Sequence, residues 1–161
     1  MYYAYFMSDE LTRLDEQVLR LVRAVRRPGY RDRLLEGVDV GPGVEALSML
    51  RVVERRRAAG ERPSINEVAA DLRVEQSTAS RAVGAAIRRG LLERAACADD
   101  LRRARLDLTS AGRAALDRAT ANRQQILAEA TTGLAPEDLG RLCDLLERLL
   151  AGYDDVEARH G

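Results

Sequence analysis

The sequence predicts a mainly α fold with a small β-wing, and three observations carry that prediction. A capping box at Ser64-Ile65-Asn66-Glu67 opens a short helix, and a three-residue connection separates it from a second helix beginning at Gln76. After Gly90 the apolar period changes from helical to two, on either side of a charged stretch at 98–103. Amphipathic segments of four to six turns occupy both ends of the chain.

Taken in order, Ser8 reads as an N-cap with Asp9 and Glu10 in the first turn, and Leu11, Leu14, Val18, Leu21, Val22 and Val25 then share one face. Helix one is expected over 9–27. Pro28-Gly29 breaks it, residues 30–36 can form a short helix, and Gly37, Gly41, Pro42 and Gly43 mark a loop. Val44, Leu47, Leu50 and Val53 define helix two, which ends near Ala59-Gly60 with glycine as C-cap. Helix three follows the capping box and turns Ile65, Val68, Ala69 and Leu72 inward. Helix four, over 76–89, has Ala79, Val83 and Ala86 or Ile87 on its inner face and stops at Gly90.

Leu91-Leu92-Glu93-Arg94 and Ala104-Arg105-Leu106-Asp107-Leu108 then read as a β-hairpin with Leu106 and Leu108 on one side. Two short helices at a tight turn, followed at once by a hairpin, make a winged helix-turn-helix, whose second helix suits the DNA major groove. Thr109 can cap helix five, over 110–131, with Ala115, Leu116, Ala119, Ile126, Leu127 and Ala130 on its apolar face. Helix six starts at Pro136 and carries Leu139, Leu142, Leu146, Leu149 and Tyr153 at alternating three-and-four spacing, with Leu145 and Leu150 beside them. So wide a leucine face on a terminal helix requires a partner, and the economical one is a second copy, its terminal helices packed on these. The organisation expected is an N-terminal arm and helix over 1–43, a winged lobe over 44–109 and C-terminal dimerisation helices over 110–161.

Composition narrows the function. The 161 residues hold 26 basic and 26 acidic side chains, and every basic one is Arg. Neutrality conceals a polarity: residues 73–105 carry eight Arg and four acids, whereas 134–161 carry three Arg and seven acids. The first segment suits a polyanion and the second does not. No apolar run approaches the ~20 residues of a membrane span, and the start lacks the form of a secretory signal, so a cytoplasmic protein is expected without membrane contact. Cys97 and Cys143 are 46 residues apart and read as small apolar residues. A single His, His160, leaves nothing from which to build a His-ligated metal site or a nucleophile triad. Asp99-Asp100 lacks a third ligand. No catalysis and no cofactor are expected.

From about Val44 to Tyr153 the chain resembles the multiple antibiotic resistance regulator (MarR) family of bacterial transcription factors. The residues that carry the resemblance are Asn66-Glu67-Val68-Ala69-Ala70-Asp71-Leu72, Gln76-Ser77-Thr78-Ala79-Ser80-Arg81, Gly90-Leu91-Leu92, the wing pattern Asp100-Leu101-Arg102, Leu108-Thr109 with Gly112, and Leu134-Ala135-Pro136-Glu137-Asp138. The resemblance implies a homodimer based on helices one, five and six, with two winged lobes reaching consecutive major grooves of an inverted repeat in double-stranded DNA. It further implies a small effector, often aromatic or phenolic, that binds between base and lobe and releases the DNA. The chain departs from the family's pattern where Arg73 stands at a turn position often held by Gly, and where Glu75 stands in place of a Ser cap. It has no Cys near its N-terminus, as the peroxide-sensing branch requires, and too few His for the zinc-sensing branch.

With helix four in the groove, Gln76, Ser77, Thr78 and Arg81 meet base edges and phosphates first, Arg81 suiting guanine and Gln76 adenine. Ser64 completes the contacts from the helix-turn-helix. Ser80 is expected to pack or back-bond within the helix, and Arg88 and Arg89 to favour the negative end of its dipole. At the wing, Arg102 is the candidate for the minor groove, held by Asp100, while Arg103 and Arg105 reach phosphates or solvent. Tyr2, Tyr3, Tyr5 and Phe6 suggest an arm packed on the base. Arg23 and Tyr30, with Tyr153, are candidates for lining an effector pocket. Glu75, Gly84 and zero net charge suit a rival reading, a winged helix that binds a ligand or a protein with weak or no specific DNA binding.

Overall fold

The computed structural model describes residues 2–41, 45–95 and 105–160. Its elements are α1 (Tyr2–Val25), α2 (Pro28–Leu34), α3 (Glu45–Ala58), α4 (Ile65–Leu72), α5 (Gln76–Arg88), β1 (Leu92–Ala95), β2 (Arg105–Leu108), α6 (Ser110–Ala130) and α7 (Pro136–Ala158). The mainly α fold with a two-stranded antiparallel wing is therefore present. Leu92 pairs with Leu108 and Ala95 with Arg105. The chain divides into two compact units, residues 1–123 and 124–161.

The bounds of the first two helices differ from the sequence reading, each helix ending two residues earlier than expected. Helix α1 begins at Tyr2, so Ser8 lies inside it and does not cap it. No Gly or Pro interrupts residues 2–8, and without a breaker the helix runs through the polar triplet. The side chains of Tyr2, Tyr3, Tyr5 and Phe6 lie outside the described residues. Helix α2 starts at Pro28, two residues earlier than expected, because proline at the first helical position loses no hydrogen bond.

In the first unit Leu50, Val53, Val68, Val83, Leu106 and Leu108 are at most 1% exposed and form the centre of one core. Helices α3, α4 and α5 and the wing strands thus close around a shared interior. Thr109 caps α6, accepting from the Gly112 N–H at 3.0 Å and donating its hydroxyl to the Gly90 carbonyl at 2.6 Å. Gly112 is buried where this helix approaches the start of the wing, and an added Cβ there would collide with the Leu91 carbonyl. Asn122, farther along α6, donates from Nδ2 to the carbonyls of Leu34 and Glu36 at 3.1 and 2.9 Å, which holds the end of α2.

The apolar faces at the chain ends lie open. On α1, Leu11 is 59% and Leu21 58% exposed. Helix α7 has no buried residue along its 23 positions, and Leu139, Leu142, Leu145, Leu146, Leu150 and Tyr153 are all exposed. Cys143, read as a small apolar residue, is exposed on this helix. Cys97 lies outside the described residues. No helix among them is long and apolar enough to cross a membrane.

Candidate nucleic-acid interface

The turn between α4 and α5 is built from two unlike ends. At the start of α4 the capping box is complete: the Ser64 hydroxyl oxygen accepts from the Glu67 N–H at 3.3 Å, and Glu67 Oε2 accepts from the Ser64 N–H at 2.6 Å. At its end Arg73 takes the left-handed conformation, φ 52° and ψ 46°, and is the single non-glycine residue with positive φ among those described. The Arg73 and Val74 amides then return to the Ala70 and Ala69 carbonyls, satisfying the last turn of the helix. Such a backbone favours Gly, which explains why Arg73 stood out in the sequence as a departure.

Helix α5 leaves this turn with its first residues in the open. Glu75 occupies the N-cap without a side-chain hydrogen bond, while its carbonyl accepts from Thr78 and Ala79. Ala79, Val83 and Ala86 are buried against the core, so the helix cannot roll without exposing them. Gln76, Ser77, Thr78 and Arg81 are consequently all exposed. Arg81 Nη2 lies 3.4 Å from Thr78 Oγ1, placing the guanidinium over the helix's first turn. Ser80, expected to pack within the helix, is instead exposed beside Ser77 and Arg81, since the inward positions are taken by Ala79 and Val83. Ser64 is half-buried, and capping uses its oxygen while leaving the hydroxyl proton to donate.

Helix α5 ends at Gly90, φ 70°, with the Gly90 and Leu91 amides bonded back to Ile87 and Ala86 at 2.9 Å each. Arg89 does more than favour the helix dipole: its Nη1 is 2.8 Å from Asp39 Oδ1, so the end of α5 is tied to the loop after α2. The same guanidinium lies over Gly41, whose φ is 84°.

The wing is anchored by charges that hydropathy alone does not reveal. Arg105 was expected to reach phosphate or solvent, but its Nη1 is 2.7 Å from Glu67 Oε2 and 3.0 Å from the Arg62 carbonyl. A carboxylate and a carbonyl within reach of one half-buried guanidinium hold it against the start of α4. The strand alternation also placed Asp107 outward, yet it is 7% exposed between the buried Leu106 and Leu108. Its carboxylate accepts from Arg62 Nε at 3.1 Å and the Leu108 N–H at 2.8 Å and pairs with the Arg57 guanidinium, whose Nε is 3.0 Å away, which offsets its burial. The Leu106 N–H donates to the Pro63 carbonyl at 2.8 Å, so the segment before α4 continues the wing sheet by one bond. A run of three arginines at the end of α3, Arg55-Arg56-Arg57, was the sequence signal for this anchoring.

Asp71 completes it. Arg56 engages both carboxylate oxygens, at 2.9 and 2.7 Å, and Arg55 adds a contact at 2.8 Å. The hydrogen bonds from Arg56, then those from Arg55, hold the Asp71 carboxyl below its ordinary range against the opposing effect of burial. Glu67 is lowered too, first by the Ser64 backbone and hydroxyl and then by the charges of Arg105 and Arg56. The wing residues Asp100, Arg102 and Arg103 lie outside the described residues. Arg23 is exposed on α1, while Tyr30 is half-buried against the lobe core. Arg23 borders a shallow depression whose lining does not include Tyr30. Tyr153 is 56% exposed in the second unit. Among the described residues no group of three or more His, Cys, Asp or Glu could hold a metal ion.

This architecture is shared with solved structures of MarR family regulators. A MarR family protein from Bacillus stearothermophilus is 16% identical and superimposes with a TM-score of 0.78, over 91% of this chain and 97% of the other. A second structure, described as a MarR family transcription regulator, is 22% identical with a TM-score of 0.69, covering 93% and 94% of the two chains. A variant of MepR from multidrug-resistant S. aureus is 20% identical with a TM-score of 0.64, covering 86% and 96%. No family model matches the sequence, and no curated protein matches it. What is shared with the solved structures is the fold: a winged helix of the MarR type.

Proposed function

On the premise of that fold, we propose that this chain is a MarR family transcription regulator, a cytoplasmic bacterial homodimer that binds an inverted repeat and represses transcription. The observation that carries the reading is the presentation of α5. Its inner face is fixed by Ala79, Val83 and Ala86, and a row of donors and acceptors, Gln76, Ser77, Thr78, Ser80 and Arg81, is left uncovered at its N-terminal end. That is the part of a recognition helix that enters a major groove. Ser64 adds a donor at the start of α4, and Arg102 and Arg103 extend the contact from the wing, with Asp100 holding Arg102. Dimerisation uses α1, α6 and α7, the elements that carry the apolar faces at the chain ends. An aromatic or phenolic effector with Arg23 and Tyr30 among its contacts would release the DNA.

Selection of bound duplexes from a random library tests this, followed by anisotropy on the winner at several salt concentrations. The expected result is an inverted repeat with half-sites about one helical turn apart and an affinity that falls steeply with salt. Gln76→Ala should relax one base preference at a cost of about 1–3 kcal/mol, whereas Arg102→Ala should weaken all sequences and reduce the salt slope. Recovery of no motif, with weak and salt-insensitive binding, would favour the rival reading of a ligand- or protein-binding winged helix, for which the uncapped acidic Glu75 at the entry to α5 speaks.

A further inference from the structure

Helix α1 has a second surface beside its apolar face, with Leu21 at the border. A seven-residue spacing stacks Arg13 and Arg20 along one ridge, on the side of the helix away from Leu11, Leu14, Val18 and Val25, and Arg27 follows just past the helix end, at the N-cap of α2. All three arginines are exposed, as is Arg23 beside them. Between residues 17 and 33 there are six Arg and a single acid, Asp32. Among the described residues, no ion pair engages Arg20, Arg23 or Arg27. Arg20 Nη1 donates to Gln17 Oε1 at 3.3 Å, and Arg23 Nε donates to the Leu19 carbonyl at 3.1 Å, which leaves both its terminal nitrogens free to donate elsewhere. These side chains border a shallow depression of about 590 Å³, lined by Gln17, Arg20, Leu21, Arg23, Ala24 and Arg27.

We propose that this depression binds a short polyphosphate chain. Arg20, Arg23 and Arg27, at three- and four-residue spacing, repel one another, and an anion placed among them relieves that repulsion. The guanidinium fork matches phosphate oxygens in pairs. With Arg27 just past the end of α1, Arg20 and Arg27 stand about 10 Å apart on the scale of 1.5 Å per helical residue. A lone carboxylate or orthophosphate is too small to engage the whole row, whereas three linked phosphates can, with the Gln17 amide as a further donor. Leu21 and Ala24 provide an apolar floor. The arginines point away from the apolar seam, with Leu21 shared at its edge, and the site is independent of the recognition helix.

Calorimetric titration of the full chain with sodium tripolyphosphate tests the site. The expected result is saturable binding of one tripolyphosphate per chain, with orthophosphate much weaker. Arg20→Gln with Arg27→Gln should lose at least tenfold in affinity at unchanged helix content by circular dichroism. Arg20→Lys with Arg27→Lys, which keeps the charge and removes the forks, should fall between. Arg141→Gln with Arg148→Gln on α7 should bind as the unaltered chain does. The proposal is overturned by absence of saturable binding, by equal affinity in the Arg20 and Arg27 variants, or by an equal loss in the α7 variant. Competition between duplex DNA and tripolyphosphate for these arginines would also overturn it, by making the ridge a nucleic-acid contact.

Discussion

Asp71 accepts from two guanidinium groups at once, and its carboxyl is held below the ordinary value of 3.8 by those hydrogen bonds. A carboxyl whose pKa is lower folded than unfolded stabilises the fold above its unfolded pKa, and that contribution is lost as pH falls through the folded value. Glu67, lowered from 4.5, acts in the same direction. Thermal melts of the chain should therefore be flat from neutral pH down to about 5 in this respect and fall steeply below about 4. Asp71→Asn should lower the melting temperature at pH 7 and flatten the acid limb; an unaltered acid limb would show that the Arg56 pair contributes nothing. Gly112 is the other decisive single position. Gly112→Ala drives a methyl group against the Leu91 carbonyl and the Leu108 side chain, and should destabilise by about 1–3 kcal/mol in urea titrations, the range for overpacked cores.

Among the elements, α5 contains an economy at Gly84. A Cβ added there meets nothing nearer than Arg88 Nη1 at 3.5 Å, so the helix does not need glycine for its own packing. Gly84→Ala should raise stability by about 0.5–1 kcal/mol from helix propensity alone. Gly84 also follows Ser77, Ser80 and Arg81 along the exposed side, and the added methyl should weaken duplex binding in anisotropy if the backbone there approaches DNA. Unchanged affinity would place the groove contact nearer the helix start. The elements themselves were legible because their signals are local: the capping box, Gly90, Thr109 and Pro136 each mark an end that short-range hydrogen bonding fixes. The wing's anchoring was not. Asp107 contacts arginines 45 and 50 residues away, and no period in the sequence shows that a charged strand residue is buried because two distant guanidiniums meet it. The exposure of Ser80 has a related cause, since it depends on which side of α5 the α3 and α4 residues take up. Of the site, the polar start of α5 was readable from its spacing, and the long-range pairs that orient it were not.

For the whole molecule, the proposed homodimer predicts a concentration dependence. Replacing Leu142 and Leu146 by Asp on the open face of α7 should convert the chain to a monomer in analytical ultracentrifugation, leaving the first unit's core untouched. Duplex affinity should then fall by at least about 100-fold, since two half-sites no longer act together. If the variant stays dimeric, the seam lies elsewhere. In the single chain, α7 buries none of its 23 residues, so it lacks the tertiary packing from which most helical stability comes. In the proposed dimer, a second copy supplies that packing. Dilution should melt α7 before the lobe, visible as a drop in helical ellipticity with falling protein concentration. In a growing cell the consequence is a threshold. For the regulator proposed above, chains at concentrations below the dimer's dissociation constant would carry frayed bases and isolated reading heads, and control of the target would switch on over a narrow range of expression level instead of rising in proportion to it.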